Sequence, residues 1–259
     1  MAFTRTMTNS PFTKCPVLFE DADVLAIDKP EGVLSHPNPG SKSPAAAFEG
    51  PYEPGERRFQ TPQGPLWLIH RLDQDTSGVL LAVKNKKSAA ACRHAFEERE
   101  VKKLYTALVS RRPMPAQSLW RDSLMEQRSS GAIRSMINYA GKPNAFLKYR
   151  MKEFFQKFNV SLLEIELLTG KTHQIRVQAA YRGHPVAGDR VYGNFSFNKE
   201  IKAALDLQRM FLHATRLVLP HPASGKPLTI EAPLPEDLQR CLALAGNTQR
   251  TTRNEKHTR

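Results

Sequence analysis

The chain has 259 residues, 38 of them Lys or Arg and 25 Asp or Glu, which gives a formal charge of +13 at neutral pH and points to a polyanionic partner, nucleic acid before an anionic membrane. Hydrophobic residues (40%) and aromatics (8%) are spread along the whole length, so a disordered or collagenous chain is excluded and one large or two small domains with a real core are expected. No run approaches the ~18 apolar residues of a membrane span, residues 1–16 lack a signal core, and three scattered cysteines (Cys15, Cys92, Cys241) suit reduced thiols in a cytoplasmic protein better than disulfides or a zinc site.

Two short apolar runs, 17–20 and 24–28, flank the turn-prone Asp21-Ala22-Asp23 and predict a hairpin that stops at Lys29-Pro30-Glu31-Gly32. From His36 to Pro65 the chain carries seven of its 19 prolines and four of its 14 glycines, which reads as loop, with room for a short helix at 44–48. Apolar 66–69 and the strand 79–83 then bracket a polar loop, 70–78. Ser88 reads as the cap of a helix running to Glu100, and 102–109 alternates like a strand that carries Tyr105. Strands are predicted at 132–139, 145–155 and 160–168, and a helix capped by Thr172 runs to Arg182. Two more strands, 211–219 and 227–232, precede a helix over 235–244, while 247–259 has four Lys/Arg against one Glu and no apolar pattern, a basic disordered tail. Strands outnumber helices and meet at turns, so the expected class is α+β with a mainly antiparallel, mixed sheet flanked by helices and loops. With the tail set aside, +10 remains on residues 1–246, so the basic character belongs to the folded body.

The loop His70-Arg71-Leu72-Asp73-Gln74-Asp75-Thr76-Ser77-Gly78 packs an imidazole, a guanidinium, two carboxylates and two hydroxyls between buried strands. It is either a salt-bridged turn or a site in which Arg71 or another guanidinium keeps Asp73 ionised and oriented as a nucleophile. Asp75 serves equally as a turn cap, and the Asp-x-Asp pair is a weak metal signal. Tyr105 is either a core aromatic or a platform on which a base stacks. Arg176, one helical turn past Thr172, faces solvent, a phosphate or a carboxylate. His173 and His184 lack a metal-binding spacing.

The run His70-Arg71-Leu72-Asp73-x-x-Thr76-Ser77-Gly78 resembles the signature loop of the RluA family of pseudouridine synthases. In the same order, the chain is similar to that family at the Lys29-Pro30-x-Gly32 turn, at 103–109, at 170–177, at Pro185-Val186-x-Gly188-Asp189-x-x-Tyr192-Gly193, at 212–214 and at 232–235, together covering about 17–238. The resemblance implies the pseudouridine synthase fold, with 1–16 an extension, 17–246 the catalytic domain and 247–259 the tail. It also implies an enzyme that isomerises uridines within ribosomal or transfer RNA. Asp73 matches the catalytic aspartate, Tyr105 the tyrosine that stacks on the target base and helps remove a proton, and Arg176 the basic residue that pairs with the aspartate. Arg71 resembles an arginine that fills the space of the flipped base. His70, Thr76, Lys171, His173 and Gln174 belong to the matching motifs as expected substrate contacts. No metal, no cofactor, no membrane and a monomer without a separate amino-terminal S4-like module are the accompanying expectations. Lys171 stands where arginine is common and Gln178 where histidine is common. The rival reading is a non-catalytic RNA-binding or ribosome-assembly protein on the same fold.

Overall fold

The structure, a computed structural model, describes residues 10–37, 46–129 and 132–255. Backbone proximity separates two compact units: residues up to Lys103 together with Ala214–Pro233, and Leu104–His213 together with the chain from Leu234 onward.

The first unit opens with strands β1 (Val17–Glu20) and β2 (Val24–Lys29), the predicted hairpin, followed by β3 (Tyr52–Glu53), β4 (Arg58–Thr61), β5 (Gly64–Leu68) and β6 (Ser77–Val83). Helix α1 (Lys86–Glu97) follows, and β7 (Lys102–Ser110) carries the chain into the second unit. There it forms β8 (Gln117–Asp122), β9 (Leu124–Ser129), β10 (Ala132–Ile137), β11 (Ala145–Phe155), β12 (Val160–Leu167), α2 (Gln174–Tyr181) and α3 (Phe195–Leu205). Strand β13 (Leu212–Pro220) returns to the first unit, β14 (Pro227–Glu231) completes it, and α4 (Glu236–Glu255) ends the described chain.

Strand β6 is the spine of the first unit. All seven of its residues are buried, as expected for an apolar run covered on both faces. It pairs antiparallel with β2 along its length and with β5 at Trp67↔Val83 and Leu68↔Ala82, while β13 lies next to it in the sheet. Helix α1 lays Ala89, Cys92 and Ala95 onto Leu18, Val24, Val79, Leu81 and Val83. Burying a side chain such as Leu81 contributes about 1.5–3 kcal/mol. The second unit has an antiparallel sheet in the order β7, β12, β11, β8, plus the separate hairpin β9–β10. There α3 and α4 bury Ile201, Leu205, Leu238 and Cys241 against Leu108, Phe155 and Val160, and α2 packs Val177 against Leu124 and Ala145.

The α+β class and its mainly antiparallel pairing are as expected. Several boundaries differ, each for a local reason. The proline-rich 36–65 stretch forms β3, β4 and the start of β5, because Pro65 sits at the second position of a strand and Pro54 and Gly55 make the turn between two others. No helix occupies 46–48, and 44–45 lie outside the described residues. Asn85, not Ser88, caps α1: its side chain accepts the Ser88 N–H at 2.8 Å, and the Ser88 hydroxyl donates to Asp23 instead. Helix α2 starts at His173 in a left-handed conformation (φ 54°), while the Thr172 hydroxyl donates to Glu126. β8, β9 and α3 were not predicted. The final helix continues to Glu255, past the expected end at 244 and into the expected tail, because a single Gly246 without a following proline does not stop it.

Candidate active site

Residues 69–76 join β5 to β6 and are fixed by bonds on both sides of Asp73. Ahead of it, the Ser35 hydroxyl donates to the Leu72 carbonyl (2.8 Å) and accepts the Leu72 N–H (3.0 Å). Behind it, the Gly32 N–H donates to the Gln74 carbonyl at 2.9 Å, the Gln74 amide donates back to the Gly32 carbonyl at 3.0 Å, and the Thr76 N–H closes a turn on the Asp73 carbonyl at 3.1 Å. The fully buried Lys29 ammonium ties these pieces together, donating to the carbonyls of Pro30 (2.8 Å), Val33 (2.7 Å) and Gln74 (3.1 Å). The Lys-Pro-x-Gly turn is thus the frame of the Asp73 loop, and Gly32 takes the positive φ (81°) that lets it bend.

His70 anchors the front of the loop. Its ring stacks on Phe96 of α1 (5.7 Å between centroids), and its Nε2 accepts the Leu81 N–H at 3.1 Å, which requires a neutral imidazole. Burial first, then the charge of Lys103, pushes the His70 pKa down to about 4. The back of the loop rests on Gly78, where φ is 114° and an added Cβ would lie 2.3 Å from the Ala214 carbonyl oxygen. Arg71 is exposed, Asp73 is half-buried and Thr76 is 2% exposed. Of the expected contacts in this loop, then, Arg71 faces solvent while His70 and Thr76 are bonded internally.

In the second unit, Tyr105 lies in the middle of β7, opposite Ile165, and is 7% exposed. Arg176 stands in the first turn of α2, 3% exposed, with Nε and Nη2 donating to the two carboxylate oxygens of Asp189 at 2.8 and 2.9 Å. Its guanidinium also lies 5.3 Å from the Tyr192 ring. Burial alone would raise the Asp189 pKa. The Arg176 fork and the N–H groups of Tyr192 and Val191 outweigh it, so the carboxyl is held below its ordinary range. Sequence reasoning quoted Asp189 within a motif without giving it this role. An aspartate in a Gly-Asp-x-x-Tyr run whose chain bends back on its own N–H groups is the signal that was there to read.

The remaining expected contacts cluster around the start of α2. Lys171 is exposed. His173 Nδ1 meets the Tyr192 hydroxyl at 2.9 Å, and that hydroxyl accepts the Ser135 N–H at 2.9 Å. Gln174 is buried: its amide NH₂ donates to the Phe146 carbonyl and to Gln178, and its oxygen accepts from Thr169 and the Lys171 N–H. Gln174 therefore positions the Lys171–Arg176 turn instead of reaching outward. Gln178, where the sequence departs from the family pattern, is fully buried and donates to Asp122 at 2.6 Å. Among the described residues no three His, Cys, Asp or Glu side chains come together in a way that could hold a metal.

A family model described as RNA pseudouridylate synthase matches residues 23–181. The ribosomal large subunit pseudouridine synthase C of Escherichia coli K12 is 35% identical over 237 residues, 90% of this chain and 70% of that protein. The protein of the same name from Vibrio vulnificus is 34% identical over 224 residues, 86% of this chain and 67% of its own. In fold, the chain is similar to human RNA pseudouridylate synthase domain containing 1 (TM-score 0.65, 24% identity, 91% of this chain and 90% of that one). Human RNA pseudouridylate synthase domain containing 4 gives the same TM-score of 0.65 at 21% identity, over 88% and 92% of the two chains.

Proposed function

Because the chain belongs to the RNA pseudouridylate synthase family and is an RNA pseudouridine synthase of the RluA type, we propose that it converts selected uridines of ribosomal or transfer RNA into pseudouridine with Asp73 as nucleophile. The names of its relatives favour ribosomal RNA of the large subunit. The observation that carries the reading is the rigid framing of Asp73: a half-buried carboxylate on a loop bonded on both flanks and clamped by a buried ammonium. Catalytic groups gain from being held this way before substrate arrives.

In this reading the target uridine leaves the stack, and the Asp73 carboxylate attacks C1′ of its ribose as the N1–C1′ bond breaks. The uracil anion rotates, C5 bonds to C1′, and the carboxylate is released. The C5 proton is removed, with Tyr105 as the stacking platform and proton handler, and N1 takes up a proton, so atoms and charge balance without redox change. Arg176, fixed by Asp189, supplies an immobile cation to the anions of the reaction. Arg71 fills the gap left by the flipped base, and Lys171 and His173 contact the RNA. His70, Thr76 and Gln174 act by positioning their loops. The enzyme works as a monomer in the cytoplasm, a setting supported by its three unpaired thiols, of which burial pushes Cys92 to about 11 and Cys241 to about 12.

Tritium release from RNA labelled at uridine C5 tests this. Wild-type protein is expected to release label and Asp73→Asn to release none while still binding RNA. Release by Asp73→Asn would remove Asp73 from the mechanism, and binding without release by the wild type would favour the non-catalytic RNA-binding protein.

A further inference from the structure

In the second unit, the end of α2 opposite Arg176 carries a row of rings and a guanidinium that neither the core nor the catalytic residues explain. Tyr139 is 82% exposed and Tyr181 48%, with their rings edge to face at 5.9 Å. The Arg182 guanidinium lies 5.7 Å from the Tyr181 ring and 4.9 Å from the Trp120 ring, and Trp120 packs on Tyr149 at 4.7 Å. The row is held stiffly at its inner end. Arg182 forks onto Asp122 at 2.8 and 3.1 Å, and the Tyr149 hydroxyl donates to the Pro115 carbonyl at 2.6 Å. A cleft of about 420 Å³ opens there, bounded by Met114, Trp120, Tyr149, Arg182 and His184.

The charge around this row is positive. Asp122, its carboxylate, is 8% exposed and already bonded to Arg182 and Gln178, whereas Arg111 is exposed and lies against Gly183 beside His184. Burial, together with Arg111 and Arg182, holds His184 below its ordinary pKa, so a neutral ring hydrogen-bonded to the Ser110 carbonyl (3.1 Å) lines the cleft. Stiff, exposed aromatic rings interleaved with guanidinium planes suit unpaired nucleobases, whose faces stack on both while the phosphates meet cations. An apolar protein partner would find the rings but not a match for the charge.

Resting on the reading of the chain as an RNA-modifying enzyme, we propose that Tyr139, Tyr181 and Arg182, with the cleft floored by Trp120 and Tyr149, hold an unpaired segment of the RNA substrate, its bases stacked on the rings and its phosphates facing Arg111. The surface is a binding site and takes no part in bond breaking.

The test is titration of a short single-stranded RNA carrying one 2-aminopurine, at fixed salt, against the full chain. The wild type quenches the probe. The double variant Tyr139→Leu/Tyr181→Leu is expected to bind about tenfold more weakly and to lose the quench, and Tyr139→Phe/Tyr181→Phe is expected to stay within about twofold of wild type. Equal binding and quenching by the leucine variant would overturn the proposal, as would equal loss in the phenylalanine variant, since ring stacking would then be irrelevant. Tritium release on labelled ribosomal RNA, run alongside, keeps the two readings apart. There the leucine variant raises KM for RNA about tenfold, and a wild type that quenches the probe yet releases no tritium sinks the enzymatic reading and leaves the binding surface standing.

Discussion

His70 makes the stability of the first unit depend on pH in a way that can be calculated. Its pKa falls from 6.5 to about 4 because the ring is buried, stacked on Phe96, and lies near the Lys103 ammonium. The folded state therefore refuses a proton that the unfolded chain accepts between these two values. The contribution of neutral His70 is complete above pH 6.5 and is lost as pH falls through that window toward 4. The full shift corresponds to about 3 kcal/mol at 1.36 kcal/mol per pH unit, and about 2 kcal/mol of it is gone by pH 5. With a urea slope of about 2–3 kcal/mol/M, this one group lowers the unfolding midpoint by roughly 0.7–1 M between pH 7 and pH 5. The perturbation is His70→Gln, which cannot charge. The variant is expected to be weaker at pH 7, having lost the ring contact with Phe96, but to fall by about 2 kcal/mol less than wild type on acidification. Urea melts of both proteins at the two pH values, with ring-proton NMR of His70 placing its midpoint near 4, give the answer. Parallel pH profiles for wild type and variant would refute the assignment of this drop to His70.

Other outcomes follow from the clamps. Lys29→Met removes three charge-assisted bonds to carbonyls around the Asp73 loop and is expected to destabilise by about 3 kcal/mol in urea melts while lowering kcat more than it changes KM. Asp189→Asn leaves the buried Arg176 unbalanced and is expected to cost about 3–5 kcal/mol at pH 7. Because the Asp189 carboxyl is held below its ordinary range, the wild type keeps this contribution above the usual carboxylate pKa and loses it only as pH drops through the lowered value, which a melt series at acidic pH would register. Gly78→Ala drives a Cβ into the Ala214 backbone at a φ that alanine avoids, and should lower the thermal midpoint well beyond the few degrees of a surface change, or abolish soluble expression.

What could be read from residues alone was decided by periodicity and apolar content. The β1–β2 hairpin, β6, β7, β11 and β12 are strongly patterned and sit where expected. Strands β3 and β4 escaped because they are short and lie among Pro and Gly residues that normally signal loop, whereas the 66–69 run marked β5 but not its start at Gly64-Pro65. Helix α3 escaped because Phe195-Ser196-Phe197 opens it, a weak helix start whose Asn194 cap becomes obvious only once its bond to the Phe197 N–H is seen. Cap residues were misassigned where two candidates competed: Ser88 and Thr172 both have hydroxyls, but long-range partners, Asp23 and Glu126, claimed them. The candidate residues were legible as a group, since Asp73, Tyr105 and Arg176 all lie within the family-like motifs of the sequence. The supports were less so, because the bonds of Lys29 to Gln74, of Ser35 to Leu72 and of Asp189 to Arg176 join residues far apart in the chain, which no local spacing encodes.

The contact of Gly78 with Ala214 has a consequence for how the protein comes into being. Strand β13, which seats the rear of the Asp73 loop, is drawn from far downstream of it, at Leu212–Pro220, and β14 follows it. A polypeptide emerging from the ribosome has β1 to β6 and α1 in hand long before their last sheet neighbour exists. Until then the edge of β6 that β13 joins lacks that partner, and a pairing so distant along the chain is slow to find. The Asp73 loop therefore acquires its backing only once residues 212–220 have been made, so chains that stop before them carry the signature motif without the strand behind it.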